Sequence, residues 1–254
     1  LFLIVGVSPC FAQDKPSGDY YQELLEKYRF YQTKISPYVI AKSRQKAYQS
    51  ITSRAEYLQA AKNMLSIEVD AIYVYANFVR RRLVEATSIL NYQESLYFVK
   101  LDDEITTVNL MKSKAAEISS LSDLAIFWKE LDDHYLNISR FGYLTKSYIE
   151  LGSFAKINDN LKITKDKIGR QISEVTFFPA NVKAAKDRFS VLEKNYTEIV
   201  TTFNQAAKIH KDAPQSGDFK AGAAQIRNLL NQSISQTDKL IFEYRDIVLS
   251  LNQK

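Results

Sequence analysis

The chain has 254 residues, of which 46% are apolar and 25% charged, a composition typical of a folded globular protein. It contains 7 glycines and 5 prolines, a scarcity that argues against β-rich folds, because those folds place both residues in many turns. The 34 basic and 29 acidic residues are scattered and give a net charge of +5. We interpret them as solvated helix faces and predict no nucleic-acid partner.

The first twelve residues have the pattern of a signal peptide. Residues 1–7 are apolar, and Cys10 and Ala12 place small side chains three and one residues before Gln13, as signal peptidase prefers. We therefore predict a signal peptide over residues 1–12, truncated at its start, and an extracytoplasmic protein, periplasmic or secreted, that is soluble after cleavage. Two alternatives stay open: Cys10 as a lipoprotein cysteine, and a buried N-terminal strand. With one cysteine the chain can form no internal disulfide.

A short helix is predicted over residues 19–33, and a long helix over residues 37–90, beginning at Pro37. Between Pro37 and Gly142 there is no glycine or proline. The long helix carries a seven-residue apolar repeat with offsets of four and three, typical of a coiled-coil seam. One row of the seam is Ile51, Leu58, Leu65, Ile72, Val79 and Ala86, and the other is Ala55, Lys62, Val69, Ala76, Leu83 and Leu90.

After a corner at residues 91–94, helices are predicted over residues 94–119 and from Leu124 onward, with Ser122 as a candidate N-cap. The second of these has apolar spacing through Leu124, Trp128, Leu131, Tyr135, Ile138, Ile157, Leu161, Thr164, Ile168 and Val175. Glycines are unfavourable in helix interiors, so we expect a kink or break near Gly152 or residues 158–160. Heptad rows resume after Pro179 and again from Phe219, separated by a loop at residues 212–218.

These patterns predict an all-α fold, an elongated antiparallel helical bundle of five to six helices with coiled-coil-like heptad packing. Residues 13–254 are expected to form a single domain with a sub-boundary near 152–160 or 176–180.

Residues 71–79 are the most unusual segment, because the helix there is apolar nearly all round. Such a segment is either buried by several neighbouring helices or exposed as a binding surface, and tyrosine suits interfaces because its ring is apolar and its hydroxyl can stay wet. A basic cluster follows directly, and it either pairs with acids of neighbouring helices or binds an acidic partner or lipid headgroup. The candidate partner-binding residues are Tyr73, Tyr75, Phe78, Arg80, Arg81 and Arg82.

Groups for catalysis are scarce. The two histidines, His134 and His210, are far apart, and the residues around His134 lack the Glu-x-x-His spacing of di-iron bundles. No phosphate-binding glycine loop or nucleophile elbow is present. We predict no enzyme, no cofactor and no metal site. Lys62 is a polar residue in the seam, which either fixes register or extends its amine out of the bundle.

The predicted function is that of an exported, non-enzymatic helical-bundle protein, a scaffold, adaptor or chaperone-like protein that binds a protein partner through long helix faces. A homo-oligomer and membrane contact stay open. The alternatives are a secreted α-helical pore-forming toxin or toxin component, whose usual apolar tongue is longer than residues 71–79, and a ligand-sensing helical bundle.

Overall fold

The computed structural model describes residues 15–86, 95–175 and 179–251, and within these ranges every element is an α-helix. The six helices are α1 (Ser17–Tyr48), α2 (Ile51–Glu85), α3 (Ser95–Glu117), α4 (Leu121–Glu174), α5 (Pro179–Ser216) and α6 (Phe219–Leu251). The all-α helical bundle with heptad packing is thereby confirmed. The signal-peptide segment, Cys10 and the corner at residues 91–94 lie outside the described residues.

The chain divides into two compact units. Unit 1 holds α1, α2, α3 and the part of α4 up to Phe141, and unit 2 holds α4 from Gly142 together with α5 and α6. The predicted boundaries near 152–160 or 176–180 stay a prediction.

Unit 1 packs its helices antiparallel. Ser17 at the start of α1 donates to Glu85 at the end of α2, and in the middle of both helices Lys27 pairs with Asp70 at 3.0 Å. The core between α2, α3 and α4 is built from apolar side chains of the predicted seam and of its neighbours. Its buried members are Ala61, Leu65, Val69, Ala76, Val108, Met111, Ala115, Ile118, Leu124, Phe127, Leu131 and Ile138.

The predicted long helix over residues 37–90 is wrong, because Pro37 lies inside α1 and the chain breaks at residues 49–50. Gln49 adopts the left-handed conformation with φ 46°, and its N–H donates to the Gln45 carbonyl. Ser50 then starts α2: its Oγ accepts from the Ser53 N–H at 3.1 Å, as an N-cap does. The break leaves Ile51 89% exposed, so the seam is buried only further along α2.

α4 starts at a capping box. Ser120 Oγ accepts from the Asp123 N–H at 3.1 Å, and the Asp123 carboxylate accepts from the Ser120 N–H at 3.1 Å. The N-cap is therefore Ser120, and the prediction of Ser122 is wrong. Hydrogen bonds to the Asp123 carboxylate, led by the one from the Ser120 side chain, hold the pKa of Asp123 below its ordinary value.

α4 runs without a break through Gly152 and residues 158–160, so the expectation of a break there is wrong. Within unit 2 the row of α4 that faces the core keeps alternating offsets of three and four. Its members are Leu144, Ser147, Leu151, Phe154, Asn158, Leu161, Lys165, Ile168 and Ile172. The predicted row was out of register in part, because Tyr135, Ile157 and Thr164 are exposed.

Unit 2 is an antiparallel three-helix bundle. The Phe154 ring of α4 lies 5.5 Å from Phe203 of α5, and the Phe189 ring lies 6.3 Å from Tyr244 of α6. The predicted heptad rows of α5 and α6 are confirmed, since their members line this core. α5 continues past Pro214 to Ser216, and the turn before α6 consists of Gly217, whose φ is +75°, and Asp218.

Candidate functional site

Residues 71–79 lie in the C-terminal half of α2, and each of the nine is buried or half-buried. The Tyr21 ring of α1 lies 6.1 Å from Phe78, and Lys112 of α3 places its Nζ 4.1 Å from the centre of the Tyr73 ring. Tyr75 is among the half-buried side chains packed against the core. The all-round apolar character of the segment thus reflects neighbours on several sides of α2. Partner binding by Tyr73, Tyr75 and Phe78 stays a prediction.

The three arginines have different surroundings. Arg80 forms an ion pair with Asp102 of α3, and Arg81 Nε lies 3.3 Å from Glu85 of the next turn. Arg82, in the last turn of α2, is exposed. The structure therefore separates the cluster: two members are half-buried with acidic neighbours inside unit 1, and one projects into solvent.

Lys62 caps the end of a neighbouring helix. Its Nζ donates to the carbonyl oxygens of Ala116 and Ile118, both at 2.9 Å. The last carbonyls of a helix have no partner within the helix, so the lysine satisfies groups at the end of α3. The seam position tolerates the charged amine because the amine donates hydrogen bonds to these carbonyl oxygens.

An acidic residue of α2 links this helix to α1 and α3. Asp70 accepts from Lys27 of α1 at 3.0 Å and pairs with Lys112 of α3 at 2.9 Å. Burial alone raises the pKa of Asp70, but the hydrogen bonds from Lys112 and Lys27 outweigh it, so the pKa lies below its ordinary value.

Glu68 lies in an aromatic environment. Trp128 of α4 donates its Nε1–H to the Glu68 carboxylate at 2.8 Å, and the Trp128 ring packs edge-on to Tyr38 of α1 at 5.7 Å. Burial raises the pKa of Glu68 more than the hydrogen bonds from Trp128 and Tyr31 lower it. The rings are in mutual contact, so we interpret this cluster as a structural link between α1, α2 and α4.

The two histidines differ in their partners. His134 Nδ1 lies 2.7 Å from Glu104 of α3, and Asn137 donates to the other oxygen of the same carboxylate at 2.9 Å. No group of three or more potential metal ligands occurs among the described residues. His210 is buried at 7% exposure, and its ring stacks on Tyr148 at 5.7 Å, but neither ring nitrogen has a hydrogen-bond partner. Burial lowers the pKa of His210.

His210 belongs to a larger set of buried polar atoms that the sequence patterns did not reveal. Within the described residues, the buried side-chain nitrogens and oxygens without a hydrogen-bond partner all lie in unit 2. Ser233 and Thr237 occupy the seam of α6, and Tyr244 follows two turns later. The remaining members are Thr145, Asn158 and Gln236. Such atoms make the interior of unit 2 energetically costly, because a buried polar group without a partner loses its hydration.

The exposure of α1 was also not predicted from the sequence. Of its 32 residues only Ser17 and Ala41 are buried. A row with offsets of four and three runs along the helix, which we name the α1 row: Tyr21, Leu25, Tyr28, Gln32, Ile35 and Val39. Tyr21 is 47% exposed, Tyr28 59% and Val39 51%, whereas Leu25 and Ile35 are half-buried. The spacing was visible in the sequence, but its exposure depended on where α2 packs.

No protein-family model, curated protein or solved structure matches this chain. Among the described helices, none has a sufficiently long apolar stretch to cross a lipid bilayer.

Proposed function

We propose that this is an exported, non-enzymatic helical-bundle protein that acts as a scaffold, adaptor or chaperone-like protein by binding a protein partner through the faces of its helices. The α1 row is the observation that supports binding. It leaves Tyr21, Tyr28 and Val39 exposed at the spacing by which one helix packs on another. The proposal of export is supported by the signal-like pattern of residues 1–12.

The α1 row borders one of the residues proposed from the sequence. Tyr21 lies against Phe78, and exposed Arg82 follows Phe78 one turn along α2. A helix seated on the row would therefore contact side chains of both α1 and α2. Large, partly exposed aromatic side chains are typical anchors of protein interfaces.

A double variant, Tyr28→Ser with Val39→Ser, tests this proposal. We expect the purified variant to keep its helicity, because both side chains are about half exposed or more, and to lose partners that the wild-type protein captures from the native cell envelope. Phe30→Ser is the matched control, since Phe30 is 49% exposed but lies about 200° around α1 from Tyr28.

Equal capture by the wild type and the double variant would show that the row does not bind a partner. A parallel assay of dye release from vesicles tests the toxin alternative, which requires leakage at micromolar protein. Leakage by the wild-type protein would replace the proposed function.

A further inference from the structure

We infer that the α1 row binds an amphipathic helix whose flanking positions are acidic. This inference rests on the proposed function, because it names the chemistry of the partner for the same surface. It follows from two independent observations, the geometry of the row and the charge of the chain around it.

The geometry favours a helix as the partner. The offsets between successive members of the row are four, three, four, three and four. The members therefore lie in one line along α1 and form a narrow strip. A second helix can pack on such a strip by knobs-into-holes packing. Gln32 is exposed in the middle of the strip. A polar residue at such a position favours a partner with a polar residue opposite, which sets the register of pairing.

The charge favours acidic flanks. Residues 27–55, which cover the row from Tyr28 onward, contain seven lysines and arginines and no aspartate or glutamate, whereas Glu23, which pairs with Lys15, and Glu26 lie near its first two members. Lys27 pairs with Asp70, and Arg44 lies 3.8 Å from Glu56. Three basic residues near the row are exposed: Arg29, Lys42 and Lys46. Lys42 and Lys46 continue the row at offsets of three and four beyond Val39, and Arg29 follows Tyr28 at its edge.

A lipid surface fits these observations less well. Helices that lie in a membrane interface need a broad apolar face with bulky side chains. The α1 row is narrow, contains Gln32 and is followed by Lys42 and Lys46, and exposed Phe30 lies on another side of the helix. A helix with glutamates beside its own apolar seam complements both the width and the charge of the strip.

Two synthetic helical peptides with the same apolar heptad seam test the inference, one with glutamate and one with lysine at the flanking positions. We expect the full-length protein to bind the glutamate peptide in fluorescence anisotropy at least about tenfold more tightly than the lysine peptide. Added salt should weaken this preference, because the flanking charges are solvent-exposed.

Three variants locate the binding. Tyr28→Ser with Val39→Ser should abolish binding of the glutamate peptide, and Lys42→Glu with Lys46→Glu should weaken it about tenfold and shift the preference toward the lysine peptide. Phe30→Ser should bind as the wild type does. Circular dichroism of each variant checks that the fold is retained.

The outcomes separate the inference from the proposed function. Equal binding of both peptides, lost in the Tyr28→Ser and Val39→Ser variant, would overturn the acidic partner and keep helix binding by the row. If neither peptide binds, or if the Tyr28→Ser and Val39→Ser variant binds as tightly as the wild type, both the inference and the proposed function are overturned. Tighter binding to vesicles that contain phosphatidylglycerol than to the glutamate peptide, with the same variant dependence, would overturn the helix in favour of an anionic lipid surface.

Discussion

At the scale of single residues, burial disfavours a charge on His210. Its ring is buried against Tyr148, and most residues of α4 and α6 at the same level of the bundle are uncharged. On α4 these residues are Leu144, Thr145, Ser147 and Leu151, and on α6 they are Phe219, Gly222, Ala223 and Ile226. The charged residues at this level are exposed Lys146, Lys208, Lys211, Asp212 and Lys220, together with half-buried Glu150 of α4, which pairs with Arg227 of α6 at 2.7 Å.

We predict that unit 2 loses stability below pH 6.5. Burial lowers the pKa of His210 in the folded state, whereas the unfolded chain has the ordinary value of about 6.5. Above that pH His210 is neutral in both the folded and the unfolded state, so its burial causes no pH-dependent loss of stability. As the pH falls from about 6.5 toward the folded-state pKa, the unfolded state takes up the proton first, and stability falls by at most about 1.4 kcal/mol per pH unit.

Urea unfolding followed by hydrogen exchange of α5 and α6 amides between pH 7.5 and 5 measures this dependence. His210→Leu should remove the contribution of His210 in that range. His134→Gln, a change in unit 1, should leave the contribution of His210 intact. If the unfolding free energy of the wild type and of His210→Leu depends on pH with the same slope, His210 is not the responsible group.

At the scale of the helices, the local break between α1 and α2 decides the architecture of unit 1. A break of two residues turns the chain so that α1 packs back along α2, as shown by the ion pair of Lys27 with Asp70 and the ring contact of Tyr38 with Tyr57 at 5.8 Å. Ser50 supports this turn by capping α2.

Ser50→Ala should therefore destabilise the protein by about 1 kcal/mol, because the N–H groups at the start of α2 lose the side-chain acceptor. The midpoint of urea unfolding measures the change. Ser66→Ala is the control, since Ser66 is exposed inside the same helix and its replacement removes no cap. Equal midpoints for the two variants would show that the cap does not contribute.

The sequence predicted the helices well and their ends poorly, for a physical reason. Heptad periodicity reports burial averaged over many turns, so α5 and α6 could be assigned from rows such as Ile226, Leu230 and Leu240. Their ends depend on single backbone conformations. Gln49 enters the left-handed region without being glycine, and Pro37 stays within α1 although it has no N–H to donate.

The candidate site was less predictable than the fold. The apolar character of residues 71–79 was evident in the sequence, but whether α1, α3 or solvent covers Phe78 and Tyr73 is a tertiary property. For the same reason the spacing of Tyr21 and Tyr28 could be recognised in the sequence, whereas their exposure could not be predicted.

At the scale of the whole molecule, the two units differ in whether the polar groups in their interiors have hydrogen-bond partners. In unit 1 the half-buried polar groups Lys62 and Glu68 have hydrogen-bond partners. In the seam of α6, Ser233 and Thr237 are buried at 0% and 3% exposure with unpartnered hydroxyls. Because a buried hydroxyl without a partner costs about 1–3 kcal/mol, unit 2 should open more readily than unit 1. Hydrogen exchange should show faster exchange in the middle of α6 than in the middle of α2.

Replacing the two hydroxyls tests the cause of this difference. Ser233→Ala with Thr237→Val keeps the shape of the seam closely and removes both polar groups, so we expect slower exchange in α6 and a free energy of unfolding of unit 2 that rises by about 1–3 kcal/mol. Ser235→Ala, at an exposed position of the same helix, controls for the change in helix propensity. A double variant that is no more stable than this control would mean that both hydroxyls are hydrogen-bonded in solution, and that another feature of unit 2 sets its exchange rate.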